Sequence, residues 1–215
     1  MQLHQQYKDF NVYLEASEII DFGYKISREV TDLSFYITTY SADEIDYIKN
    51  AYEYVRDRIS HSADISGKIV TCKASEVLSA KEGICYAKSH LLAAILRCNL
   101  IPAGFCYQKL TSDDGSDGSG PRLILHGLNA VYIEGIGKWI RLDARGNKPG
   151  VEAQFSIEQE KLAFPVRKEM GEEDIPIIFA RPDKNVIRAL TENKSLEALW
   201  ANLPAELENG TERNK

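Results

Sequence analysis

Lys81-Glu82-Gly83-Ile84-Cys85-Tyr86-Ala87-Lys88-Ser89-His90-Leu91-Leu92-Ala93-Ala94-Ile95-Leu96-Arg97 sets a cysteine at the start of a helix. Apolar residues at Ile84, Ala87, Leu91, Leu92, Ile95 and Cys98 recur three and four apart. That spacing predicts one helical stripe turned to a core, ending at Asn99 with Pro102 just beyond. Gly83 lets the chain turn sharply into the helix, because a residue without a Cβ accepts backbone angles and close approaches that others cannot. Cys85 therefore falls in the first turn. Unpaired N–H groups and the positive end of the helix dipole there favour a thiolate, lowering a thiol from its free value of roughly 8.5. The position suits a nucleophile, but a free cysteine is also a common packing residue, so the decision rests on the rest of the chain.

The 215 residues are enough for one good core, and a single domain over 1–215 is expected, with core motifs in about 41–150 and an extension over 151–215. Hydrophobic residues make up 44% and charged residues 27%, which argues against a disordered or fibrous chain. A net charge of −6 gives no global attraction to nucleic acid or to an anionic membrane surface, so neither is expected as a partner. No basic-then-apolar leader opens the chain and no run of about eighteen apolar residues occurs, so a cytoplasmic protein is expected. Cys72, Cys85, Cys98 and Cys106 form no CxxC pair, which speaks against structural zinc or a dithiol redox site. Cys72, Cys98 and Cys106 lie among apolar neighbours and are expected to be buried free thiols.

Upstream of the cysteine, a short strand is expected around Asn11 to Glu15 and a modest helix in the second half of Ser17 to Leu33. Ser41 with Glu44 three residues later reads as a capping box for a helix over about 43–59, whose stripe is Ile45, Ile48, Tyr52, Val55 and Ile59. Ala74 to Ala80 predicts a short helix delivering the chain to Gly83. His61, in the polar connection, either approaches the site or serves as a loop or capping histidine. His90 lies five residues beyond Cys85 on the same helix, about 140° round the axis, and is no partner base.

Downstream, the period changes from helical to alternating. Ala103 to Leu110 predicts a strand, and Thr111 to Gly120 a polar loop whose aspartates lack the ligand alternation and closing Glu of a helix-loop-helix calcium site. Arg122 to Ile133 predicts a central strand, Glu134 to Gly137 its turn, and Lys138 to Asp143 the returning strand. With an even-numbered turn His126 and Asp143 share a face, directly opposite or one diagonal apart; a three-residue turn without a bulge separates them. Beyond lie a loop over 144–150, a short strand at Ala153 to Ser156, an unassigned stretch over 158–181, two short helices at Val186 to Leu190 and Ser195 to Trp200, and a polar tail from Glu206.

Cys85, His126 and Asp143 together supply a nucleophile, its base and the group that orients the base. Taken singly, the histidine reads as a satisfied core residue and the aspartate as a strand-ending acid. In this order, on these elements, the set reads as catalytic. Gly83-Ile84-Cys85-Tyr86, His126-Gly127-Leu128-Asn129-Ala130 and Trp139-Ile140-Arg141-Leu142-Asp143 resemble the motifs of the transglutaminase-like superfamily, bacterial type, over about Ser41 to Gly150.

The resemblance implies a papain-like α+β fold, with N-terminal helices and a cysteine-bearing helix packed on an antiparallel sheet that carries His126 and Asp143. It also implies thiol acyl chemistry on an amide, as a protease, amidase or transamidase, through a thioester. The implied partner is a peptide or protein carboxamide, with no cofactor and no metal. One oxyanion donor is expected to be the Cys85 backbone N–H; Gln108 is either a second or a surface-strand residue. The alternative reading is a non-catalytic module that keeps the fold and holds a peptide or protein in the same groove.

Overall fold

The computed structural model describes residues 1–112 and 121–208. Its helices are α1 (Arg28–Thr38), α2 (Glu44–Arg58), α3 (Ala74–Ala80), α4 (Cys85–Cys98), α5 (Lys184–Glu192) and α6 (Leu196–Ala201). Its strands are β1 (His4–Gln5), β2 (Ser60–His61), β3 (Glu82–Gly83), β4 (Ala103–Ser112), β5 (Arg122–Ile133), β6 (Lys138–Leu142) and β7 (Glu173–Phe179). The result is the expected α+β fold with the cysteine-bearing helix on an antiparallel-rich sheet.

Helix α4 is more central than its stripe implies. Tyr86 through Arg97 are all buried, Lys88, Ser89, His90 and Arg97 included. Helices α1, α2 and α3 pack on it from one side and β4 and β5 from the other, so no face is left for solvent and polar residues must find partners inside. Ser34 and the Tyr47 hydroxyl both reach the Ile95 carbonyl, at 3.1 Å each. The Arg97 guanidinium takes the carbonyls of Glu15, Ala103 and Ala180. His90 sits with Nδ1 2.7 Å from the Cys72 carbonyl and its ring edge-on to Phe105.

The sheet runs β1-β7-β4-β5-β6, antiparallel except for the β1–β7 edge pair, while β2 and β3 form a separate parallel pair. β4 and β5 pair from Ala103↔Val131 to Ser112↔Arg122. β5 and β6 pair from Ile133↔Lys138 to Asn129↔Leu142, across a four-residue turn of Glu134 to Gly137. The turn is therefore even-numbered. Asp143, one step past Leu142, falls beside Leu128, one diagonal from His126 and on its face.

Several local expectations change. Helix α2 starts two residues later than its capping box implies. Asp43 is the cap, accepting from the Asp46 N–H, and Ser41 instead donates to the Ile37 carbonyl at the end of α1. The Glu44 carboxylate crosses to the β5–β6 turn and accepts the N–H groups of Glu134 and Gly135 at 3.0 and 3.2 Å. Phe10–Tyr13 forms a 3-10 turn rather than a strand, because the Asp9 carboxylate caps the Asn11 N–H and closes the chain locally. Helix α1 runs on to Thr38, past the expected end.

Ala153 to Ser156 forms no strand, only a bridge from Gln154 to Lys161. Cys98 is half-buried rather than buried, whereas Cys72 and Cys106 are buried. The polar run from residue 113 to 120, including the rejected calcium loop, and the tail from residue 209 lie outside the described residues. The start of the tail is docked: Glu206 pairs with Lys109, and Glu208 with Lys184 and Arg188. Among the described residues no helix is long and apolar enough to cross a membrane, and no His/Cys/Asp/Glu group is placed to hold a metal ion.

Candidate active site

Cys85 is the first residue of α4. The cap position before it, Ile84, is extended and brings no side-chain acceptor, so no side chain caps the first-turn N–H groups from that position. The approach is built by α3, which ends at Lys81 in the left-handed conformation, and by β3, held beside β2 with His61 opposite Gly83. A Cβ on Gly83 would lie 3.0 Å from Thr71 Oγ1 and 3.1 Å from the Ala87 Cβ, so a larger residue at this entry would press both neighbours back by a few tenths of an ångström. Cys85 is partly exposed, unlike its helix neighbours.

β5 meets this first turn at Gly127. A Cβ there would stand 2.6 Å from Tyr86 Cδ1 and 3.4 Å from the Tyr86 Cα. Glycine next to His126 is what lets the start of α4 lie against the strand. The Tyr86 hydroxyl donates to the Leu125 carbonyl, and Asn129 Nδ2 donates to the Ser89 carbonyl at 3.0 Å. The helix start is thus pinned to β5 on both sides of His126.

His126 Nε2 lies 2.8 Å from Asp143 Oδ2. Asp143 is fully buried and accepts two further hydrogen bonds, from the Arg145 N–H to Oδ1 and the Ala163 N–H to Oδ2, both 3.1 Å. Gly127, the residue after His126, lies against Tyr86, the residue after Cys85. Burial works against charge on His126, but Asp143, Cys85 and the hydrogen bonds to both outweigh it and lift the imidazole to about 10. Burial likewise opposes charge on Asp143, yet His126 and the two backbone N–H groups hold its carboxyl below the usual range. The fold thus joins His126 to Asp143 and lays the strand beside His126 against the helix start that carries Cys85.

Other groups close the surroundings. The Phe164 ring stands edge-on to His126 at 5.2 Å between centroids, with the Arg145 guanidinium 5.7 Å from its face. Arg145 pairs with both oxygens of Asp64, at 2.5 and 3.0 Å, and Lys148 reaches Asp64 at 2.8 Å. His61 is buried, its Nδ1 accepting from the Ala63 N–H and its ring stacked on Trp200. It ends β2, and burial first, then Arg145, pulls its pKa down to about 3, with His126 adding to that pull. Gln108 stands opposite His126 in the β4–β5 register, but its Nε2 donates to Asp174 Oδ1 at 3.0 Å, inside a cluster with Arg141. One of its two amide N–H groups is committed there.

Phe164, Ala163 and Trp200 were not legible as site residues. They lie in the extension beyond residue 150, where the sequence carries no motif. The one signal for the first two is the apolar run Leu162-Ala163-Phe164 ahead of Pro165.

The family model of the transglutaminase-like superfamily matches residues 31–144, a span that holds Cys85, His126 and Asp143. The chain belongs to the transglutaminase-like superfamily. Among solved structures it is similar to a provisionally named cysteine protease from Cytophaga hutchinsonii, with 18% identity and a TM-score of 0.49, over 65% of this chain and 43% of that one. It is also similar to the periplasmic domain of TgpA from Pseudomonas aeruginosa, with 14% identity and a TM-score of 0.44, over 65% of this chain and 48% of that one. The match to the ethylmercury-bound form of that domain covers 61% and 46%. The chain thus spans less than half the length of these structures. No curated protein matches it.

Proposed function

We propose that the protein is a cysteine-dependent acyl-transfer enzyme acting on the carboxamide of a peptide or protein. The observation that carries this reading is His126 Nε2 at 2.8 Å from the buried Asp143 carboxylate, on a strand whose next residue, Gly127, lies against the start of the cysteine helix. In such a pair the Cys85 proton moves to His126 and the thiolate attacks the carbonyl carbon, forming a C–S bond and an oxyanion that faces the Cys85 N–H. The oxyanion collapses, the C–N bond breaks, and His126 gives its proton to the departing nitrogen, leaving a thioester. His126 then takes a proton from water or an incoming amine as that acceptor attacks the thioester and frees the thiol. Asp143 stays ionised throughout and orients the ring. The four free cysteines support placing this chemistry in a reducing, cytoplasmic setting.

The test is iodoacetamide labelling at pH 6 with adduct mapping. Cys85 is expected to react first and well ahead of Cys72, Cys98 and Cys106, and His126→Ala to slow it by about 10²-fold or more. A panel of peptide amides and glutamine-containing proteins, with and without a primary amine, should then show turnover that Cys85→Ala abolishes. If Cys85 labels no faster than the other thiols and Cys85→Ala changes no activity, the fold serves as a binding module.

A further inference from the structure

Lys88 follows Cys85 by three residues on α4 and is fully buried. Its Nζ donates to three backbone carbonyls: Ile59 at 2.5 Å, Arg145 at 3.1 Å and Arg56 at 3.2 Å. Two of these end α2 and the third lies two residues past Asp143. Three acceptors match an ammonium, which has three N–H bonds, and not a neutral amine, which has two. Burial pulls the Lys88 pKa down to about 7, reinforced by Arg145 and opposed by Asp143, Asp57 and Asp64. A buried cation is a poor stabilising device compared with an apolar side chain of the same volume, so its presence calls for a geometric reason.

The geometry supplies one. Residue 145 is held at both ends of its backbone: its carbonyl accepts from Lys88 and its N–H donates to Asp143 Oδ1. We propose that Lys88 is a positioning residue, tying the 145 backbone to the cysteine helix and so holding its N–H on the carboxylate that orients His126. The linkage runs inside the protein from the helix that carries Cys85 to the loop that steadies Asp143, and it fixes the two relative to each other independently of the sheet. This rests on the catalytic reading of Cys85, His126 and Asp143.

The test compares wild type with Lys88→Met, which keeps the length without donors, and Lys88→Arg, which keeps charge and donors. Charged and titratable groups acting on the pair remain in both variants. Asp143 acts on His126, Arg145 and Asp64 act on Lys88, and His126 acts on His61. Tyr52 and Asp57 of α2 act on Asp143 and Lys88, and Tyr86 and Tyr107 on Cys85.

The readouts are the pH profile of iodoacetamide labelling at Cys85 and the downfield proton NMR signal of the His126–Asp143 hydrogen bond. In Lys88→Met, labelling at pH 8.5 should stay near wild type while labelling at pH 6 falls about tenfold, as the profile moves about one pH unit up. The bridging proton should broaden through exchange, and Lys88→Arg should recover both readouts at least in part. An unchanged profile and proton signal, with only a lower melting temperature, would overturn the proposal. So would a shifted profile with a sharp bridging proton, which marks a charge effect alone, or a folded Lys88→Arg that recovers neither. If no variant folds, Lys88 is a folding residue only and the proposal fails. Wild-type Cys85 that shows no selective labelling at pH 6 defeats the catalytic reading instead, before any Lys88 variant is compared.

Discussion

His126 and Asp143 set the pH behaviour of the site. The folded imidazole is raised to about 10, above roughly 6.5 for an unfolded histidine, so its contribution to stability is complete below about 6.5 and is lost as pH rises through about 10. The depressed Asp143 carboxyl has the opposite sign: its contribution is present above about 3.9 and is lost as pH falls through the folded value. Both operate fully between about 4 and 6.5. Urea unfolding of wild type and His126→Gln should therefore give a stability difference that shrinks steadily from pH 6.5 to pH 10. A difference flat across that range would show that the imidazole is not charged in the fold. Asp143→Asn should leave the ring without its anionic partner and move Cys85 labelling to higher pH.

At the scale of elements, the meeting of α4 and β5 is the critical joint. Gly127→Ala adds one methyl that would overlap the Tyr86 ring at 2.6 Å, so the helix start must shift away from His126 or the ring must turn. The expected cost is about 1–3 kcal/mol of stability, by the usual price of overpacking. Labelling of Cys85 at pH 6 should fall with it. Melting curves and labelling on the same preparation check both, and a variant that labels normally would show that the contact does not place the thiol. Leu92→Ala, in the middle of α4 and fully buried, should cost about 2–5 kcal/mol by urea unfolding through the cavity it leaves.

Across the whole molecule, the extension beyond residue 150 completes both sheet and site. β7 adds to β4, Ala163 donates to Asp143, Phe164 stands against His126, and the Ala180 carbonyl receives the buried Arg97 guanidinium. Ending the chain at residue 150 leaves Arg97 short of one acceptor, Asp143 short of one donor and the β4 edge bare. Such a truncation should lose cooperative unfolding, read by near-ultraviolet circular dichroism against the full chain. A truncated chain that unfolds cooperatively and labels at Cys85 would show that residues 1–150 suffice.

The helix stripe after Gly83, the capped helix before it and the two alternating runs around Gly135 were legible from the residues, because local periodicity reports which side of an element is buried. Cys85, His126 and Asp143 could be named for the same reason: each sits at a marked place in a regular element. The meeting of His126 and Asp143 depended on the turn, and only the observed pairing of Ile133 with Lys138 made it even-numbered. Glu44 reads as a local cap yet serves a turn ninety residues away in sequence. Lys88 carries no sequence signal yet lies in the interior, and Ala163 and Phe164 belong to a stretch without period. What the sequence determined was the set of elements and the chemistry they carry. The tertiary structure decided which backbone groups those side chains would satisfy, since a buried charge or N–H takes whatever partner packing brings near, and no local pattern records it.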